Sequence, residues 1–224
     1  MTLSCNRIAR QAVVTQRGVT RYLACLLFLS AAMSVAGRAQ AQGWRTASDK
    51  DGIRMETRRI AGGRFDELRV STSLKASPDV IADYLFGKYL DEKNKNIHRT
   101  FITREQALTI WSDVLRTPVT SERCYSMRFE RQAHANGEIR VKFASFDYVG
   151  RTPVPDCVAL RARGEWIMTP THTGTRLVYA SLTDIGGKVP AALARRSLSA
   201  AAISSVGKVV AGASGLALQR GIGD

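Results

Sequence analysis

The sequence predicts an α+β domain in which a curved antiparallel β-sheet is wrapped around a long C-terminal α-helix. Three observations lead to this fold class. Predicted strands stand before and after a short helix, and a long helical segment closes the chain. Apolar and polar residues alternate over residues 158–168 and 176–184, as expected of strands with one buried face. From Ala191 to about Gly212 the chain has no proline, so one helix follows the last strand and must lie across the sheet.

The first 41 residues have the features of a signal peptide. A basic front precedes an apolar stretch over residues 23–36, and Ala39-Gln40-Ala41 fits a small-x-small cleavage site. The basic front consists of Arg7, Arg10, Arg17 and Arg21. We therefore expect an exported chain, periplasmic or secreted, that begins at Gln42. An uncleaved membrane anchor is the alternative, but the apolar stretch is shorter than the ~20 residues of a spanning helix.

The mature chain has the length of one domain. Without residues 1–41, 183 of the 224 residues remain, and we expect a single domain over residues 42–213 with a flexible tail over 214–224. The removed segment holds five of the 33 basic residues and no acidic one, which leaves 28 basic against 19 acidic residues and a net charge of +9. The basic residues are scattered, which speaks against nucleic acid. Solubility of a monomer, or attraction to anionic lipid headgroups, explains the charge.

The first half of the domain reads as a hairpin followed by a helix. Asp51-Gly52 is a turn before a strand over residues 53–59, and alternating residues around Val70 form a second strand. Ser77, Pro78 and Asp79 then supply an N-cap, a first-turn proline and an acidic residue that favour a helix reaching Gly87. A second short helical piece is predicted over residues 89–95.

The second half reads as consecutive antiparallel strands. Their predicted centres are Phe101, Ile110, Met127, Val141, Leu160 and Val178. Ala135-Asn136-Gly137 is a hairpin turn, because Asn and Gly tolerate positive φ. The segment 147–156 carries two prolines and a glycine, so it must leave the sheet as a loop.

Three stretches carry a resemblance to a known family. They are the segment 111–123, the Gly-Glu-Trp sequence that ends at Trp166, and the strand end 183–190 with the helix after it. Together they resemble the START domain, the steroidogenic-acute-regulatory-protein-related lipid-transfer module, over roughly residues 44–212. The resemblance implies a helix-grip fold that encloses one hydrophobic ligand. It also implies that the loop 147–156 borders the ligand entrance, where Tyr148, Val149 and Val154 would act as a gate. An ordinary proline-stiffened turn is the alternative.

One apolar face of the predicted sheet is the candidate ligand wall. Tyr125, Met127 and Phe129 share a strand face, and the terminal helix is rich in small residues that leave space for a guest. The residues predicted to line a cavity are Trp111, Tyr125, Met127, Phe129, Phe143, Leu160, Trp166, Leu193, Ser197 and Ala201. The same faces would also suit a plain hydrophobic core.

Chemistry-bearing residues are sparse. His98, His134 and His172 are isolated, no catalytic or metal-binding spacing surrounds them, and no cofactor is expected. A buried ion pair that anchors a polar head group can come from Asp113, Arg123, Arg128 and Glu130; pairing at the surface is the commoner case. Cys124 and Cys157 open predicted strands, and they are either bridged or two buried free thiols.

Three functions are therefore compared. The first is an exported module that binds, and can transfer, a lipid or sterol-like molecule without catalysis or cofactor. The second is an enzyme of the same fold, such as a cyclase, hydrolase or isomerase of a hydrophobic substrate. The third is an adaptor whose cavity has collapsed, which an exposed apolar patch would reveal.

Overall fold

The computed structural model describes residues 43–117, 120–150 and 154–221, so the predicted signal peptide lies outside the described residues. The described residues belong to one compact unit. Its strands are β1 (Arg45–Lys50), β2 (Ile53–Arg58), β3 (Glu67–Leu74), β4 (Ile97–Arg104), β5 (Leu108–Thr117), β6 (Thr120–Ala133), β7 (Ile139–Phe146), β8 (Val158–Ala159), β9 (Arg161–Thr171) and β10 (Gly174–Asp184). Its helices are α1 (Pro78–Tyr84), which continues as a π-helical turn over Leu85–Tyr89, and α2 (Ala191–Gln219).

Within the described residues, ten strands form one sheet in the order β1-β2-β3-β10-β9-β7-β6-β5-β4, and β8 pairs with β6 beside this path. The main path is antiparallel throughout, whereas β8 runs parallel to β6. The last strand, β10, lies beside β3, so the N-terminal strands continue the sheet instead of forming a separate layer. The predicted α+β fold, a sheet gripping a long terminal helix, is confirmed.

The start of α1 follows the chemistry of its first residues. The Ser77 hydroxyl accepts a hydrogen bond of 3.4 Å from the Val80 amide, and Pro78 occupies the first turn. Val80, Ile81 and the following Leu85 are fully buried against the sheet. Each such side chain contributes about 1.5–3 kcal/mol of burial. Helix α1 therefore fixes one end of the hydrophobic core.

Helix α2 covers the inner face of the sheet and extends beyond its predicted end. Ala213 and Ala217 are buried, so the prediction of a flexible tail is wrong for residues 214–219. Tyr84 of α1 packs against α2 at Gly212, where an added Cβ would lie 2.0 Å from the Tyr84 ring. Among the described helices, α2 is long and apolar enough to cross a membrane by length and composition alone, and part of it is buried in the domain.

Three local predictions needed correction. Strand β1 was not predicted, because five of its six residues are exposed and no alternation marks it. The predicted helical piece over 89–95 ends at Asp91. Leu160 is not a strand centre: it lies between β8 and β9, where the chain changes partner from β6 to β7.

Candidate functional site

A pocket of about 530 Å³ lies between the inner face of the sheet and the N-terminal half of α2. We call it the main pocket. Most of its wall is apolar. Leu193, Ser197 and Ala201 line it and are also solvent-exposed, so the main pocket reaches the surface beside the first turns of α2. A chain with a collapsed interior would lack this volume, which weighs against the adaptor hypothesis.

All ten residues predicted to line a ligand cavity lie on the wall of the main pocket. The strand residues among them are Trp111, Tyr125, Met127, Phe129, Phe143 and Trp166, and the others are Leu160, Leu193, Ser197 and Ala201. Period-two alternation placed the strand residues correctly, because it assigns every second side chain to the same face. Contact of these residues with a ligand stays a prediction.

A row of aromatic rings forms the floor of the main pocket across five adjacent strands. Trp111 meets Phe129 edge-on at 5.1 Å between ring centroids, and Phe129 stacks on Phe143 at 5.6 Å. Phe143 stacks on Tyr179 at 5.8 Å, and Tyr179 meets Trp166 at 4.5 Å. Offset and edge-to-face pairs of this kind stabilise the row beyond simple burial. The floor is therefore rigid, broad and apolar.

A hydrogen-bonded polar cluster interrupts this wall at β4, β5 and β6. Asp113 is fully buried and accepts two hydrogen bonds from Arg99, at 2.9 Å from Nε and 2.8 Å from Nη2. It also accepts from Trp111 Nε1 at 2.9 Å and from the Tyr125 hydroxyl at 2.8 Å. Arg99, Trp111 and Tyr125 line the main pocket, with the carboxylate behind them. The buried charge is thus paired and hydrogen-bonded, as stability requires.

The cluster changes the acid–base behaviour of its members. Burial, followed by the negative charge of Asp113, raises the pKa of Tyr125 well above its ordinary value. Burial by itself would lower the pKa of Arg99, but its hydrogen bonds to Asp113 and the charge of that carboxylate raise it. The tyrosine is therefore neutral and the arginine charged at ordinary pH.

The ion pair predicted from sequence was only half right. Asp113 is indeed buried and paired, but its partner is Arg99, which sequence reasoning missed. Arg128 and Glu130 pair with each other in an exposed position on the outer face of the sheet. Arg123 is buried and donates to backbone carbonyls, at 3.1 Å to Ile185 and also to Ser121.

The described residues of the loop after β7 do not line the main pocket, so the predicted gate at Tyr148, Val149 and Val154 is wrong. Tyr148 and Val154 line a separate pocket of about 150 Å³, and Val149 is 55% exposed. The Val149 amide donates to the Ser126 hydroxyl at 2.9 Å. Tyr125 and Met127 line the main pocket. Ser126 stands between them in β6, so its side chain lies on the opposite face of the sheet. The described residues of this loop, 147–150 and 154–156, therefore lie on the outer side of the sheet.

Cys124 and Cys157 form a disulfide, with their Cα atoms 5.9 Å apart. Cys124 shares the outward face of β6 with Ser126, so the bridge also lies on the outer side of the sheet. The two cysteines are 33 positions apart, and the segment between them contains most of β6, all of β7 and the loop after it. Of the two alternatives left open by the sequence, the structure shows the bridge.

The three histidines lie apart from the main pocket. His98, His134 and His172 are exposed, and none of them is on its wall. Over the described ranges 43–117, 120–150 and 154–221, no group of three or more His, Cys, Asp or Glu side chains is placed to hold a metal ion. Besides Arg99, the charged residues Asp66 and Arg123 also line the main pocket.

Comparisons with known proteins give the fold class. No protein-family profile matches the chain. An uncharacterized protein of Pseudomonas aeruginosa is 27% identical over 190 residues, which cover 80% of this chain and 89% of the relative.

Solved structures are similar over most of the domain. A STAR-related lipid transfer protein from Xanthomonas axonopodis aligns with a TM-score of 0.66 and 20% identity, covering 77% of this chain and 99% of the other. The lipid transfer and protein localization domain of human StarD13 has a TM-score of 0.64 and 13% identity, covering 87% and 96%. Human StAR-related lipid transfer protein 5 has a TM-score of 0.61 and 15% identity, covering 90% and 96%. This chain thus has the helix-grip fold of START domains, as the sequence resemblance predicted.

Proposed function

We propose that this chain binds a hydrophobic molecule of the lipid or sterol class in the main pocket. The observation that carries the proposal is an apolar space of about 530 Å³ beneath a helix segment built largely from small side chains. Protein interiors normally pack at a density of ~0.75, so apolar space of this size suits a guest molecule. Its volume falls within the ~300–1,000 Å³ of pockets that hold small molecules. Each methylene buried there contributes ~0.8 kcal/mol.

The polar cluster indicates which polar group the ligand carries. Arg99 uses three of its five N–H groups, two on Asp113 and one on the Leu90 carbonyl at 3.0 Å. Two donors remain for a guest, but the positive charge is already neutralised by Asp113. A carboxylate would meet the negative charge of Asp113 behind the arginine. We therefore favour a ligand with one uncharged acceptor, a hydroxyl or a carbonyl.

Binding, not catalysis, is the activity we propose for this pocket. The Asp113 carboxylate is fully buried and accepts four hydrogen bonds from three neighbours, so it is not free to act as a general base. The Tyr125 hydroxyl is committed to the same carboxylate. Chemical conversion of a bound molecule by the purified protein would contradict this part of the proposal and support an enzyme of the same fold.

We further propose that the ligand enters and leaves at an anionic membrane surface. Lys188, Arg195 and Arg196 are exposed and flank Leu193, which is 51% exposed on the rim of the main pocket. None of the three cations has an ion-pair partner within the described parts of the chain. Each basic residue near an anionic membrane contributes ~1 kcal/mol of attraction. Transfer between membranes would follow from this placement.

Export of the chain is also part of the proposal. Its support is the signal-peptide pattern of residues 1–41 and the disulfide, which persists in oxidising compartments. N-terminal sequencing of the protein recovered from outside the cytoplasm is expected to begin at Gln42. An intact N-terminus in the cytoplasmic fraction would contradict export.

Equilibrium titration with two fluorescent probes tests the proposed ligand class. A sterol with a single hydroxyl and a fatty acid of similar apolar area are each added to the purified protein near neutral pH. We expect saturable binding of the sterol, and at least about tenfold weaker binding of the fatty acid, a difference of ~1.4 kcal/mol. Tighter binding of the fatty acid would overturn the neutral-ligand assignment, and no binding of either would overturn the proposed function.

A further inference from the structure

The disulfide on the outer face lies next to the turn that leads into α2, and this juxtaposition suggests a device that controls the main pocket. We propose that the Cys124–Cys157 disulfide braces this turn, and that reduction of the disulfide loosens the first turns of α2 and speeds ligand release. The release part of this inference rests on the proposed function. The brace itself is a property of the protein without ligand.

The first step is the short strand that the disulfide holds in place. Immediately after Cys157 the chain forms β8, in which Val158 and Ala159 pair with Arg123 and Cys124 of β6. The Leu160 amide then donates to the Cys124 carbonyl at 3.2 Å. Strand β8 has only two residues, too few to hold its position by backbone pairing alone. The disulfide at Cys157, one residue before β8, restrains the position of this strand in addition to its backbone pairing.

The second step is the contact between β8 and the turn over residues 185–189. Gly186 has a φ of +63° and approaches β8 so closely that a Cβ there would lie 2.5 Å from the Ala159 carbonyl oxygen. It would also lie 2.7 Å from Cγ1 of Val158. Glycine is the residue that permits both this φ and this approach. The backbone of the turn therefore rests directly on β8.

Two arginines hold the same turn from other directions. Arg123 donates to the Ile185 carbonyl at 3.1 Å. Arg64 donates to the carbonyls of Gly187 and Val189, at 2.7 and 2.8 Å. The turn is thus fixed by hydrogen bonds to its carbonyls and by the strand β8 against which it packs. Loss of the strand would remove the apolar part of this support.

The third step connects the turn to the main pocket. Ile185, Val189 and Leu193 line the pocket just where α2 begins. Before Ala202, the only fully buried residue of α2 is Ala194, and no side chain caps the helix N-terminus. In the first turns of α2, Ala194 packs with Phe65 and with Val189 of the turn, and Leu198 packs against this small cluster. The position of these first turns therefore depends on the turn behind them.

A reductant has a route to the disulfide. Both cysteines line the pocket of about 150 Å³ on the outer face, together with Tyr148 and Arg161. In the proposed step a dithiol reductant attacks one sulfur, and the disulfide gains two electrons and two protons to give two thiols. The dithiol loses the same two electrons and two protons and closes into its own disulfide.

Hydrogen exchange and ligand release in oxidised and dithiothreitol-reduced protein test the inference. We expect faster amide exchange over residues 184–198 after reduction, with core amides of β3 and β10 unchanged. Release of the fluorescent sterol should accelerate about tenfold. The double variant Cys124→Ser/Cys157→Ser should behave as reduced protein and should not respond to dithiothreitol.

A second variant keeps both cysteines. Val158→Ala trims the contact between β8 and Gly186 and is expected to loosen residues 184–198 in the oxidised protein. Equal exchange of these residues in oxidised and reduced protein would overturn the brace, whether or not a ligand binds. A turn that loosens on reduction, in a protein that takes up no probe, would keep the brace and overturn the proposed function instead.

Discussion

Arg99 and Asp113 face each other across β4 and β5 and are joined by two hydrogen bonds of 2.9 and 2.8 Å. Asp113 is fully buried, whereas 22% of the Arg99 side chain is exposed. The guanidinium group also packs over the Trp111 ring, 4.8 Å from its centroid. A charged pair in an apolar wall affects both folding and ligand choice, because Asp113 is removed from water and depends on Arg99 for its counter-charge.

Replacing Arg99 by methionine should destabilise the fold strongly. The Arg99→Met variant leaves the Asp113 carboxylate buried without its cation, and we expect the free energy of unfolding to fall by ~3–5 kcal/mol in urea titrations. The matched control is Arg104→Met, since Arg104 pairs with Asp91 where the two side chains are 40% and 52% exposed. That loss should be at most ~1 kcal/mol. Equal losses in the two variants would contradict the role of the buried pair.

Filling the main pocket from the helix side should block ligand binding. Ala201 lines the pocket and Ala200, its neighbour in α2, is exposed and does not. The Ala201→Trp variant should therefore weaken sterol binding at least about tenfold, while Ala200→Trp binds as the parent does. Fluorescence titration of both variants measures the difference. Loss of binding in both, or in neither, would place the ligand elsewhere.

Two glycine substitutions should change stability in opposite directions. A Cβ at Gly164 would lie 2.0 Å from the Ala180 carbonyl oxygen and 2.9 Å from the Ser181 Cα, both parts of a rigid strand. Gly164→Ala should therefore lower the free energy of unfolding by ~3 kcal/mol. At Gly207, inside α2, nothing lies within 4 Å of the added atom. Gly207→Ala should raise the free energy of unfolding by about 0.5–1 kcal/mol. Changes of the same sign would refute the packing described at Gly164.

Stability should fall at high pH because of the aromatic floor. Burial raises the pKa of Tyr179 to about 12, while its hydrogen bond with Ser181 acts in the opposite direction. The unfolded tyrosine loses its proton near the ordinary pKa of about 10, so between about pH 10 and 12 the unfolded state binds fewer protons than the folded state. The free energy of unfolding therefore decreases as the pH rises, by about 2–3 kcal/mol from this one group. In Tyr179→Phe the decrease should be smaller by that amount. An unchanged pH dependence would contradict the burial of the hydroxyl.

Membrane contact should depend on the charges beside Leu193. The double variant Arg195→Glu/Arg196→Glu should bind anionic phosphatidylglycerol vesicles much more weakly in a sedimentation assay, since each charge contributes ~1 kcal/mol. The control is Lys142→Glu/Arg163→Glu, which makes the same change in net charge on exposed outer positions of β7 and β9. Equal weakening would show a general effect of net charge instead of a docking site.

Much of the fold and of the main pocket followed from the sequence, through the local alternation of apolar residues together with the resemblance to START domains. Alternation in β6 fixed the faces of Tyr125, Met127 and Phe129 without knowledge of the neighbouring strands. The N-cap at Ser77 and the turn before Pro190 gave the positions where the helices begin. These signals are local, so they survive in a single sequence.

The missed features depend on contacts between distant residues. The pairing of Arg99 with Asp113 follows a register shift in β4 between Phe101 and Thr103, and if the strand continued without this shift Arg99 would lie opposite Val114. The path of the loop after β7 depends on Ser126 and Cys124, whose contacts with it no local pattern reveals. The close packing of Tyr84 from α1 against Gly212 of α2 likewise joins residues that are far apart in the sequence.

Native mass spectrometry of the protein, purified without added ligand and then extracted with organic solvent, examines the hollow of the main pocket directly. We expect a fraction of the protein molecules to carry one bound apolar molecule, seen as additional mass. Extraction should remove this mass, and the Ala201→Trp variant should lack it. Protein of bare polypeptide mass in every preparation, together with no uptake of fluorescent sterol or lipid, would contradict a ligand-binding role for this fold.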